Sequence, residues 1–330
     1  MTTETQRQFF AISLLMGAII TLSFIPAFTP NTKPVGQAQK PDAGNEKPQL
    51  ANPFESLELM ANASYVYDVR EQKVLYAHNA ELQVPLASIT KAMTALVAAE
   101  KIPLYNTITI SADDLRAEGD TGLYMHEEWD VKDLLDYTLV TSSNDGASAI
   151  ASVGSAFITK KPENRTTATS STIHFIDAMN TVAKELGLTQ TYFINESGLD
   201  VTDTLSGAYG SARDVGMLFS YILEHYPYIL DATRYQNLTI TSLSELSHEL
   251  TNTNESVNQI PGLLGSKTGF TALAGGNLAV IFDAGIGHPI VVVALGSTYE
   301  DRFKDVEKLV WAALEYLAYE DQILERDNTL

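Results

Sequence analysis

The chain has 330 residues, 45% of them hydrophobic and 19% charged, with no cysteine and a formal net charge of −20. That length and apolar content supply a full core for one large or two medium domains, and they exclude a disordered chain, a collagen-like chain and a disulfide-stapled scaffold. The absence of cysteine removes thiolate zinc sites, iron–sulfur clusters and cysteine nucleophiles. The four cations and three carboxylates of residues 1–52 leave the rest of the chain at −21, a field that repels polyphosphate and speaks against nucleic acid as a partner.

Residues 9–28 (FFAISLLMGAIITLSFIPAF) form a run of twenty without a charge, the length that spans a bilayer core. Only Arg7 precedes the run as a cation, and no clear small-residue cleavage site follows it. Residues 1–28 therefore read as an N-terminal transmembrane anchor, with a cleaved signal segment as the alternative. Residues 29–52 hold Pro30, Pro34, Pro41 and Pro48 among polar residues, without apolar periodicity, and read as a disordered linker. Its reach, if flexible, is about 25–30 Å.

The body is assigned to residues 53–322. Ala63–Val69 and Lys73–His78 are β-rich runs across a polar turn and predict a hairpin. From Ser88 the pattern turns helical, and residues 112–245 are expected to be mainly helical with polar loops. Residues 160–171 (KKPENRTTATSS) look like a surface insertion. Gly276–Ala284 and Pro289–Gly296 flank a Gly-containing turn and predict a second hairpin; Asp301–Tyr319 predicts a closing helix, and residues 323–330 an acidic tail. Strands at both ends with helices between them predict an α+β fold: one antiparallel sheet made by the two chain ends, with a helical subdomain between.

Three short motifs carry the chemistry. In Ser88-Ile89-Thr90-Lys91, positions i and i+3 share a helix face, so Lys91 can lie beside the Ser88 hydroxyl. A serine is a weak nucleophile until a neighbouring base takes its proton, and a desolvated lysine can do so. Taken alone, the motif equally describes a serine cap followed by a solvated lysine. Ser142-Ser143-Asn144 lies between apolar helical stretches, where it serves either as a simple cap or as a proton relay (Ser142) and an amide holder (Asn144). A second S-x-N, Ser256-Val257-Asn258, is too close to the third motif to form a separate wall of one cleft. That third motif is Lys267-Thr268-Gly269, suited to a carboxylate, with Gly269 admitting close backbone approach. A phosphate loop would need Gly directly before the lysine, where Ser266 stands. The six histidines form no H-E-x-x-H, and no G-x-S-x-G occurs. Trp129 and the tyrosines read as core or cleft packing.

The three motifs in this order are those of penicillin-binding proteins and class A β-lactamases. Over residues 55–320 the chain resembles the serine D-alanyl-D-alanine carboxypeptidases, the low-molecular-mass penicillin-binding proteins of peptidase family S11. SYVYDVREQKVLYAHNAE, PLASITKAMTALVA, SSNDGASAIA, ELGLTQTYFINESGLD, YGSARDVG, SKTGFT and GSTYEDRF extend the likeness beyond the motifs.

The resemblance implies a β-lactamase/transpeptidase-like fold and acyl transfer on Ser88, with Lys91 as general base. Ser142 would relay the proton to the departing D-Ala and Asn144 would orient the substrate. Lys267, Thr268 and Gly269 would form the carboxylate wall, and the backbone N–H groups of Ser88 and Phe270 the oxyanion hole. The implied substrate is a peptidoglycan stem peptide outside the cytoplasmic membrane. β-Lactams are the implied covalent inhibitors, and no cofactor or metal is expected. Phe270 stands where relatives often carry histidine. The chain also ends without the β-rich second domain and basic C-terminal anchor of many relatives. A D,D-endopeptidase is the alternative. A class A β-lactamase would need E-x-x-L-N between the second and third motifs, which is absent; an inactive wall-binding homologue would be expected to have lost Ser88 or Lys91.

Overall fold

The computed structural model describes residues 52–119, 122–159 and 172–327. The expected anchor at 1–28, the expected linker at 29–52 except Asn52, and the insertion at 160–171 lie outside the described residues. Among the described residues no helix is long and apolar enough to cross a membrane.

In chain order, strands β1 (Ala63–Asp68), β2 (Lys73–His78) and the short β3 (Val84–Pro85) lead to helix α1 (Thr90–Lys101). Short strands β4 (Thr107–Thr109) and β5 (Glu128–Asp130) pair before α2 (Val131–Thr141), α3 (Asn144–Ile158) and α4 (Ile173–Glu185). Strands β6 (Tyr192–Phe193) and β7 (Ala208–Gly210) precede α5 (Ala212–His225). A hairpin, β8 (Asn237–Thr241) and β9 (Ser247–Thr251), is followed by three long strands, β10 (Leu263–Thr271), β11 (Gly275–Asp283) and β12 (Pro289–Ser297), and then by α6 (Asp301–Asp327).

The main sheet has the order β10-β11-β12-β1-β2, antiparallel throughout, so the two chain ends meet where Val66 pairs with Val292. Its strands are apolar on both faces because both are covered. Leu278, Val280, Phe282, Ile290, Val292 and Ala294 pack against Phe303, Val306, Leu309 and Val310 of α6. The alternate residues Ala279, Ile281, Val291, Val293 and Leu295 face the helical core. Period-two alternation between two apolar layers explains why these segments read as continuous hydrophobic runs.

Helix α1 lies at the centre, with Thr90 to Ala98 all buried. A helix buried all round tolerates only small or apolar residues, which makes Lys91, at 0% exposure, conspicuous. Side-chain caps start several helices: Asp130 accepts from Asp133 N at 2.8 Å, Ser143 Oγ from Gly146 N at 2.9 Å, and Ser211 Oγ from Asp214 N at 3.1 Å.

Two elements differ from the sequence expectation. The expected helical stretch to 245 ends earlier, because NLTIT and SHELT form the β8–β9 hairpin. Leu238, Ile240, His248 and Leu250 turn inward and the intervening polar residues outward. Helix α6 continues past Tyr319 to Asp327, so the acidic segment from 323 begins inside it.

Candidate active site

Ser88 sits in a 3-10 turn, Ala87–Ile89, that runs directly into α1. The turn is strained: Ala87 has φ of +48°, unusual for a residue with a Cβ. Neighbours over-determine it. Leu86 N donates to Ala208 O at 3.0 Å, and Thr90 Oγ1 donates to Ala87 O at 2.7 Å. Asn277, a lone amide inside apolar β11, donates to Pro85 O at 3.1 Å and Leu86 O at 3.0 Å. Its own oxygen accepts from Gly296 N at 2.8 Å. Two glycines leave room for the turn. A Cβ at Gly198 would stand 1.9 Å from Ala87 O, and one at Gly269 would stand 3.2 Å from Ser88 N. Edge strand β10 therefore passes directly beside the Ser88 amide.

Lys91 lies one turn along. Its Nζ is 2.9 Å from Ser88 Oγ, 2.7 Å from Asn144 Oδ1 and 3.0 Å from Ser197 O. All three partners are neutral. Burial pushes the Lys91 amine down to about 7, against the opposing pull of Glu196. A neutral amine has two N–H donors and one lone pair. Here the donors can serve Asn144 and Ser197, leaving the lone pair for the Ser88 hydroxyl proton.

Ser142 ends α2 in the left-handed conformation, φ +60°, and Asn144 opens α3. The abrupt turn between the helices brings both side chains to one side of the cleft. Asn144 also donates to Glu118 O at 2.6 Å. Lys267, on β10, donates to Ser142 Oγ at 2.9 Å and to Thr268 O at 2.9 Å. Burial first, then the charges of Lys91 and Arg302, hold its amine well below the usual lysine range. Thr268 and Thr253 share a hydroxyl–hydroxyl bond of 2.6 Å. Phe270 is half exposed at the rim, edge-on to Tyr299 with ring centres 5.1 Å apart.

All three motifs thus converge on one cleft, as two linked groups: Ser88–Lys91–Asn144 and Ser142–Lys267. The lysine bonded to Ser142 is Lys267, on the wall opposite Lys91. Ser256 belongs elsewhere; its hydroxyl donates to Glu307 Oε1 at 2.9 Å. Sequence reasoning missed Ser197, Thr253, Asn277 and Arg302. Only Asn277 gave a signal, since an amide in a buried strand needs partners.

Comparison with known proteins agrees with this geometry. The model of peptidase family S11, D-alanyl-D-alanine carboxypeptidase, matches residues 50–298. The chain belongs to this family. D-alanyl-D-alanine carboxypeptidase DacF of Bacillus subtilis is 30% identical over 263 residues, 78% of this chain and 62% of DacF. A D-alanyl-D-alanine endopeptidase of Escherichia coli is 29% identical over 226 residues, 66% of each chain. The ampicillin-bound structure of penicillin-binding protein D2 from Listeria monocytogenes shares 30% identity at a TM-score of 0.63, covering 78% of this chain and 98% of that one. The match spans about three fifths of the length of DacF and of the Escherichia coli carboxypeptidase DacC. The S11 relatives have the β-lactamase/transpeptidase-like arrangement described above.

Proposed function

We propose that this family member is a serine D-Ala-D-Ala carboxypeptidase that removes the terminal D-alanine of peptidoglycan stem peptides. The observation that carries the reading is the Lys91 amine, buried, uncharged by a small change of pH near neutrality, and 2.9 Å from the Ser88 hydroxyl.

Ser88 Oγ attacks the carbonyl carbon of the penultimate D-alanine while its proton passes to Lys91 Nζ. The carbonyl oxygen takes the negative charge and is met by the Ser88 and Phe270 N–H groups, each such donor worth about 2.7–4 kcal/mol in the transition state. The C–N bond then breaks. The leaving amine takes, through the Ser142 hydroxyl, the proton that Lys91 received, and Lys91 is neutral again; the Ser142 hydroxyl also accepts from Lys267. Water attacks the Ser88 ester, giving a proton to Lys91, which returns it to Ser88 Oγ as the ester C–O bond breaks and the shortened peptide leaves. Asn144 holds the stem-peptide amide, while Lys267 and Thr268 hold the terminal carboxylate, with Gly269 admitting the backbone close to it.

A β-lactam would acylate Ser88 by the same first step; the ampicillin-bound Listeria relative supports this. The substrate places the domain outside the cytoplasmic membrane, held there by residues 9–28 if that run is retained. The relatives named endopeptidases favour a second reading, cleavage of peptidoglycan cross-links with the same residues. Mass spectrometry of muropeptides incubated with the full chain in detergent separates the two. Loss of one alanine from pentapeptides is expected. Cross-linked dimers splitting while pentapeptides persist would establish the endopeptidase instead.

A further inference from the structure

The closing helix sends one buried charge to the edge of the cleft. Arg302, in the first turn of α6, is 3% exposed, and its guanidinium lies 4.3 Å from the Tyr299 ring centre and 4.7 Å from that of Phe303. Among the described residues no ion pair joins it to a carboxylate, and its Nε is buried without a hydrogen-bond partner. A buried cation without a direct ion pair is expensive to keep, although Tyr299 and Glu255 nearby favour its charge. Its Nη1 donates to Gly269 O at 2.9 Å.

Gly269 C=O and Phe270 N–H belong to one planar trans peptide unit and point in opposite directions. Arg302 grips the carbonyl on the α6 side, so the N–H faces away from the helix. A Cβ at Gly269 would lie 3.2 Å from Ser88 N and 2.9 Å from Leu86 O, which sets this peptide beside the nucleophile turn. A further glycine makes the grip possible. Gly276, the β11 partner of Phe270, could not carry a Cβ, which would stand 2.0 Å from Thr298 O. The start of α6 therefore closes tightly over the sheet, within reach of β10.

We propose that Arg302 is a positioning residue for the oxyanion donor: its bond to Gly269 O fixes the tilt of the Gly269–Phe270 peptide and polarises it, so that Phe270 N–H binds the acyl oxygen on Ser88 more strongly. A hydrogen bond accepted by an amide carbonyl strengthens the donor on the same amide, and a charged donor does so most. This inference rests on the reading that Ser88 becomes acylated.

The test uses the full chain with Arg302→Met and Arg302→Lys, the second keeping charge and stem where the first fails to fold. Two readouts are combined: the single-turnover acylation rate by a penicillin, and the ester carbonyl stretch of the acyl-enzyme by isotope-edited infrared difference spectroscopy. Acylation is expected to fall about 10- to 100-fold in Arg302→Met and less in Arg302→Lys. The carbonyl band should move to higher wavenumber in both. The loss should be equal on a depsipeptide ending in a free carboxylate and on its methyl ester. A band that stays in place in a folded variant overturns the inference, whatever the rate. So does a loss confined to the free-carboxylate substrate, which would make Arg302 a carboxylate ligand. A wild-type chain that forms no adduct at Ser88 would instead sink the underlying acyl-enzyme reading.

Discussion

Lys91 and Lys267 occupy opposite walls of one cleft, one on a buried helix and one on an edge strand, and both are fully enclosed. Burial pushes both amines down, but their neighbours act in opposite senses. Glu196 pulls Lys91 back up, so it settles at about 7. Lys267 faces only further cations, Lys91 and Arg302, and is driven well below its usual range. The partners differ as well: Lys91 bonds the Ser88 hydroxyl and two acceptors, Lys267 the Ser142 hydroxyl and its own neighbouring carbonyl. Two buried lysines thus become two tools. One is a base poised near neutral pH beside a nucleophile. The other has its ammonium form disfavoured in the empty cleft, and an arriving anion favours that form again.

Removing each amine gives the sharpest test of that division. Lys91→Ala should lower acylation of Ser88 by about 10²- to 10⁴-fold, the range for a positioned base, on every substrate alike. Lys267→Ala should cost less, about tenfold or more, and mainly as a raised KM for substrates with a free C-terminal carboxylate. Equal losses on a free acid and its amide in Lys267→Ala would erase the distinction between the walls.

Proton balance sharpens it further. Lys267 is held low in the empty cleft and an entering carboxylate favours its ammonium form, so at any pH where the empty-cleft amine is neutral binding should draw a proton from solvent. Calorimetry of a carboxylate ligand on Ser88→Ala, run in buffers of different ionisation enthalpy, should show uptake of up to about one proton per site. The uptake should vanish in Lys267→Met. Binding heats independent of buffer would contradict the Lys267 assignment.

Much of this architecture was legible before any coordinates. The runs at 276–284 and 289–296 announced strands because a sheet covered on both faces keeps few polar positions, Asn277 being one. The S-x-x-K spacing placed Lys91 beside Ser88 because helix geometry leaves little choice at i and i+3. The remainder was hidden for physical reasons. Ser197 acts through its carbonyl, which carries no residue identity, and the loop is set by Asn195 Oδ1 accepting from Gly198 N at 2.7 Å. Arg302 sits in DRFKD, which reads as a solvated helix start, yet packing of α6 drives it inward. The β8–β9 hairpin alternates only Leu238 and Ile240 on one strand and Leu250 on the other with polar residues, too weak a pattern to outweigh its helical surroundings.

The smallest expected effect probes the feature that most separates the two lysines. Glu196 belongs to the loop that holds Lys91: its carbonyl accepts from Thr94 Oγ1 at 2.6 Å, and the next residue supplies Ser197 O. Its carboxylate favours the ammonium form of Lys91 against burial, and burial first, with Asp114 adding to it, raises the Glu196 carboxyl. Lys91 must be neutral to accept the Ser88 proton, so the acid limb of acylation follows Lys91. Glu196→Gln removes the charge that opposes burial, lowers the Lys91 amine further, and should move that limb to lower pH. A single opposing charge that is not in direct contact is worth a few tenths of a pH unit, about twofold in rate at pH 6 and no change at pH 9. A pH–rate profile of penicillin acylation between pH 6 and 9 checks this. A limb that stays in place, or moves upward, would mean that Lys91 owes its position on the pH scale to burial alone, and that the contrast with Lys267 lies in bonding partners rather than in charge.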